Sequence, residues 1–168
     1  MKTAASFFVW LELVGLGVWI GGMLTLGALV APTVFDVVRP NEMAGEAMSL
    51  AFRKFNAGLV YVCIVLIAIG FLGKWFLGLK RERSRWVEGG MLTVMILSGI
   101  YMGAVLSPRL QDLRQIKMSD PSNTAAVVEF NRKHRTSEQL FTVNLLLGLA
   151  VLGINSGASA VSDRKEIG

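Results

Sequence analysis

Charge is scarce in this sequence. Only 17% of the 168 residues are Asp, Glu, Lys or Arg, while 53% are apolar; soluble domains carry about 25% charged residues. Cysteine and histidine occur once each, as Cys63 and His134. One cysteine excludes an internal disulfide and a cysteine-rich zinc motif, and Cys63 reads as a small apolar packing residue. One histidine excludes a bis-histidine haem site within a single chain. Phosphate-binding loops, nucleotide fingerprints and nucleophile–base arrangements are also missing, so no catalytic residue is assigned. The net charge of +5 comes without a nucleic-acid motif, which leaves lipid headgroups as the expected partner of the basic residues.

What the chain does have is apolar length. Four runs, at about 7–35, 57–79, 86–106 and 140–161, each reach the ~20 residues that cross a bilayer as a helix. So short a chain cannot bury all four on every side in water. The runs are continuous rather than alternating, which excludes a β-barrel. The expected fold is therefore all-α: one polytopic four-transmembrane-helix bundle, with a short polar tail at 162–168. Lys2 and the first run imitate a signal peptide. Glu12 interrupts that run, however, and Leu29 and Pro32 fit badly around a cut after Ala31, so a retained helix is expected.

The connections divide into a short basic loop and two long ones. "KRERSR", Lys80 to Arg85, places the loop between the second and third runs in the cytoplasm, together with both termini. The two long loops hold a comparable number of bases, diluted by acids. In the first, Asn41 is positioned to cap a helix carrying Ala44, Met48, Ala51, Phe52 and Phe55 on one face. In the third loop, Leu106, Leu110, Leu113 and Ile116 extend the third run past Pro108, and Asn123 or Thr124 caps a helix entering the fourth. Amphipathic helical extensions thus thicken one end of the bundle. The first run, roughly 43 Å as a straight helix at 1.5 Å per residue, must tilt, kink or protrude, with a kink or helix end expected at Ala31–Val34 beside Pro32.

Three runs contain glycines four residues apart: Gly17 and Gly21, Gly99 and Gly103, Gly153 and Gly157. Such pairs let helix backbones approach closely in lipid, either inside the bundle or in a homo-oligomer contact. The second run offers only Gly70 and Gly73.

Polar residues inside apolar runs are candidate functional groups by default. Glu12 reads either as interfacial, with Trp10 and Trp19 as headgroup markers, or as an inward acid with a basic or hydroxyl partner. Glu88 reads as interfacial beside Arg85 and Trp86, and Lys74 as a long stem carrying its ammonium to the span end. Asn144 is expected to hydrogen-bond across helices. At the opposite face from Glu12, residues Asp36, Arg53, Asn56, Arg109, His134 and Ser137 lie near span ends and form a candidate polar cluster, with Asp36 as its acid. His134 with the methionines, Met91 and Met95 foremost, is a candidate haem or copper site; the spacing of Met91 and Met95 also suits plain core packing.

The segments "WIGGMLTLGALVAPTVF", "AGEAMSLAFRKFN", "SPRLQDLR" and "FNRKHRTSEQLFTVNLLLGL" resemble, in order and spacing, the transmembrane-protein-205-like family, catalogued also as a bacterial domain of unknown function, number 4149. The resemblance runs from about Leu11 to Leu152. It implies a small four-span protein of a bacterial inner membrane whose molecular activity is unsettled. Where that family shows leucine before its histidine, this chain has Lys133. A more distant similarity is to the copper-resistance D membrane domain and to four-span haem-associated protoporphyrinogen oxidases. Three functions are therefore carried forward. The first is a non-enzymatic scaffold, accessory subunit or assembly factor, working as a homo-oligomer or within a larger complex and without a cofactor. The others are a haem or copper binder and an oligomeric transporter or efflux component.

Overall fold

The computed structural model describes residues 2–78 and 82–166, with side chains described at 3–78 and 86–155. Among the described residues the chain is helical apart from short connections. Helices α1 (Lys2–Leu24) and α2 (Ala31–Val37) are joined by a π-helical turn, Thr25–Val30. Helices α3 (Asn41–Lys54) and α4 (Val60–Phe76) are joined by another, Phe55–Leu59. Helices α5 (Glu82–Tyr101) and α6 (Ser107–Ser119) are joined by a third, Met102–Leu106, and α7 runs uninterrupted over Thr124–Glu166. The result is four rods running up and down. Thr3–Val37, Asn41–Phe76, Trp86–Ser119 and Thr124–Asn155 are long and apolar enough to cross a membrane.

The chain is an integral membrane protein by the physics of its surface. Phe7, Leu29, Val62, Leu97 and Leu146 are all more than half exposed, and such a belt is stable only where the solvent is itself apolar. Lipid-facing hydroxyls obey the same rule. Thr25, Thr33 and Thr93 each donate to the carbonyl four residues back, at 2.8, 2.8 and 2.7 Å, which satisfies them without water.

The first rod departs from α-helical geometry in a π turn at Thr25–Val30, just before the expected Ala31–Val34. Pro32 supplies no N–H and its ring crowds the carbonyl of Ala28. The preceding turn widens in response, and the Ala31 N–H bonds to Leu26 O, five residues back. Pro108 follows a π turn in the same way, with Ser107 N–H on Met102 O. Asn41 does not cap α3. Pro40 occupies the cap position without a side-chain bond, and the Asn41 amide oxygen instead accepts from Arg39 at 2.5 Å. Asn123 does bond back, accepting from the Ala126 N–H at 3.1 Å.

Helix α1 packs most extensively along α4, α5 and α6 pack along α7, and α2 meets α3. The core between them holds Leu16, Trp19, Ile20, Met23, Phe55, Val60, Cys63, Ile67, Leu92, Met95 and Val151. Trp19, read as a headgroup marker, is instead buried, with its ring on Gly99. The large residues of α1 fix which glycines face inward. Gly99 and Gly103 do, meeting Trp19 and the Asn56 carbonyl respectively. Gly17, Gly21 and Gly153 do not: nothing lies within 4 Å of where their Cβ atoms would be. Gly157 lies outside the residues whose packing is described. The closest approach of a glycine to another helix's backbone is at Gly70, which the four-residue spacing rule overlooks; a Cβ there would stand 2.7 Å from both Glu12 N and Phe8 O.

Gly70→Ala therefore forces α1 off α4. Its thermal midpoint in detergent should fall, by the equivalent of about 1–3 kcal/mol of overpacking, whereas Gly17→Ala should leave it unchanged. Equal midpoints for the two variants would refute this account of the α1–α4 contact.

Candidate functional site

Two polar regions occupy opposite ends of the bundle. The first is at the end where α1 and α5 begin and α4 finishes. Glu12, Lys74, Glu88 and Asn155 project there from four different helices, and all are buried. Lys74 Nζ lies 2.6 Å from Glu12 Oε2 and 2.9 Å from Glu88 Oε1. It also donates to Asn155 Oδ1 at 3.3 Å, while Asn155 Nδ2 donates to Glu12 Oε1 at 2.9 Å. Glu12 Oε2 takes Lys74 as an ion partner by proximity rather than through an aligned hydrogen bond. Gly70 is what lets α4 sit close enough to α1 for its Lys74, one helical turn on, to reach the acid.

These positions overturn two expectations. Lys74 is 3% exposed and does not carry its ammonium outward, and Glu88 is fully buried rather than interfacial. Glu12 is the inward acid, and its base comes from a neighbouring helix. Leaving an ammonium or carboxylate unpaired in this medium costs more than turning it inward to a partner.

Between the two ends, Asn144 on α7 accepts from Ser98 Oγ at 2.7 Å and lies 4.0 Å from Met102 Sδ. This is a polar contact across helices α5 and α7, with no partner drawn from either end.

The second region lies at the end where α2, α3 and α6 meet the start of α7. A cavity of about 520 Å³ opens there, within the ~300–1,000 Å³ typical of ligand sites. Each of the three π turns lends it a residue: Gly27, Asn56 and Met102. Phe52, Phe130 and Phe141 form walls, with the Phe52 and Phe141 rings edge-to-face at 6.0 Å. Of the six cluster residues read from the sequence, Arg53, Asn56, His134 and Ser137 line this cavity. Asp36 and Arg109 do not. Asp36 is exposed and joins no ion pair among the described residues. Arg109 faces outward, 3.0 Å from Glu129. The acid beside His134 is Glu138, at 3.4 Å, and both are more than half exposed. The group is thus a cavity rim rather than a buried ion-pair network.

His134 does not converge with Met91 and Met95, although Met102 lines the same cavity. Met95 packs on Gly148, with its methyl 3.2 Å from a Cβ position there. Gly148 is 14 residues along α7 from His134, roughly 21 Å of helix rise. Met91 lies one turn from Met95, toward the end away from His134. Among the described residues, no group of three His, Cys, Asp or Glu side chains could hold a metal ion.

Truncating Lys74 strands two carboxylates. Lys74→Met should destabilise the bundle by about 3–5 kcal/mol, read as a large fall in thermal midpoint. Glu12→Gln should cost clearly less, because Lys74 keeps Glu88. The reverse order of severity would contradict the arrangement described.

No curated protein and no solved structure matches the chain. A family model does match, over residues 14–119. It takes in Lys74, Glu88 and all three π turns but stops short of α7. On that match the chain belongs to the family described as a domain of unknown function, DUF4149.

Proposed function

We propose that this protein is a non-enzymatic accessory or scaffold subunit that pairs with another transmembrane helix through α1. The observation that carries the reading is the contrast between the glycine pairs. Gly99 and Gly103 are occupied from within the chain, whereas Gly17 and Gly21 leave an exposed notch on a lipid-facing helix. In lipid, helix association depends on such close packing. A second chain fits the notch, either another copy or a subunit of a larger complex. The basic segment Lys80–Arg85 supports an inner-membrane placement with both termini cytoplasmic. The resemblance to the transmembrane-protein-205-like family fits the same picture of a small four-span protein.

Chemical cross-linking in native membranes should give a species larger than the monomer. Gly17→Leu with Gly21→Leu should abolish that species while leaving the thermal midpoint in detergent unaltered. A wild-type chain that stays monomeric in lipid sinks the proposal.

One observation favours a second reading, an oligomeric transporter or efflux component: the membrane-embedded ions around Lys74, a type of group found along ion and substrate pathways. That reading requires solute or proton flux in proteoliposomes that Glu12→Gln reduces several-fold while the protein remains folded. Wild-type vesicles no leakier than empty ones would dismiss it.

A further inference from the structure

We infer that the cavity at the α2–α3–α6 end binds a phosphate-bearing amphiphile, with its anionic head on Arg53 and Arg114 and its chain on the aromatic walls. The argument begins with depth. The three π turns lie at the floor, where Gly27 faces Phe141 and Met102 joins the lining. Arg53 is two residues before its π turn, and Arg114 is eight residues past the end of its own, about 12 Å of rise. The guanidiniums therefore sit between the floor and a level about 12 Å outside it, across the ~5–8 Å headgroup layer that flanks a ~30 Å hydrocarbon core.

The second argument is charge. Neither arginine has a carboxylate at salt-bridge distance among the described residues. Arg53 is held by the neutral amide of Gln111. Arg114 lies over the Phe130 ring, 5.6 Å from its centroid, with Lys117 at 5.2 Å from the same ring. Glu46 acts on Arg114 only from beyond contact, and the one acid on the rim, Glu138, faces His134. Two part-buried guanidiniums held by an amide and a ring keep donors free for an oxyanion, and their planar forks suit phosphate.

The third argument is shape. Around the π turns the lining gains an apolar surface from Phe52, Met102 and Phe141, set beside the neutral polar groups of Asn56, Ser107 and Thr142. Arg114 is admitted because Gly45 has no side chain, its Nη1 standing 3.2 Å from a Cβ position there. A free phosphate would leave that apolar floor unfilled, whereas an acyl chain covers it. The volume suits a headgroup and the start of a chain, with the remaining tail passing out to the bilayer.

The test uses the full chain in a mild non-ionic detergent and native mass spectrometry. The probes are dioleoyl phosphatidate, dioleoyl phosphatidylcholine and inorganic phosphate. Phosphatidate should bind at least tenfold more tightly than phosphatidylcholine. Arg53→Gln with Arg114→Gln should reduce phosphatidate binding at least tenfold, and Arg109→Gln, outside the cavity, should leave it unchanged. Equal affinity for the two lipids overturns the inference, as does an equal loss from Arg109→Gln. Displacement of phosphatidate by millimolar inorganic phosphate assigns the site to free phosphate and overturns the amphiphile. The lipid preference is read on the wild-type chain, so a misfolded double variant does not shelter the proposal.

Discussion

A single ammonium shared by two carboxylates, in a medium with almost no dielectric screening, is the interaction on which this bundle's terminal end depends. Lys74 comes from α4, its acids from α1 and α5, and the amide bridging it to Glu12 from α7. Apolar packing between lipid-bathed helices is weakly directional, because lipid tails compete for every apolar contact. The ion network is directional. It accepts one rotation and one depth for each helix, and it makes wrong registers costly by leaving a charge exposed to hydrocarbon. The close α1–α4 approach at Gly70 and the seating of Trp19 on Gly99 then follow on helices whose facing has already been set.

The two ends divide the labour. One is held by paired, buried ions; the other opens around aromatic walls and weakly compensated arginines. Gly70 and Gly45 serve opposite ends of this arrangement. The first removes a side chain so that two backbones can meet, and the second so that a guanidinium can enter. Asn144 and Ser98 bridge α5 and α7 at the level between them.

The four crossings were legible because hydrocarbon imposes a length and an absence of charge that can be read along one dimension. The amphipathic entries at Ala44, Met48 and Leu113 were legible for the same reason, since a 3.6-residue period names a face. The ion network was not, because each member looks interfacial beside its own span end. The signal lay in comparing depths. Glu12, Lys74, Glu88 and Asn155 all stand two to six residues in from span ends on the same side, so two acids, a base and an amide share one layer. The glycine rule left the direction open for a related reason: spacing of four identifies a notch but not which way it faces. Leu16, Trp19, Ile20 and Met23 decide that α1 turns Gly17 and Gly21 outward. Asp36 was assigned to the rim on chain position alone, and helix rotation places Glu138 there instead.

The π turns carry a consequence of their own. Each fits one more residue into a turn than an α-helix does, so every side chain beyond it is rotated by about 100° relative to an unbroken helix. Three of the four rods take that step at comparable height. The membrane-spanning half and the outer half of those three rods thus follow separate angular settings. An outer segment can point polar groups such as Arg53, Asn56 and Ser107 at the central axis without turning the lipid-bathed half away from its neighbours. Sequence change in one half is thereby insulated from the facing of the other.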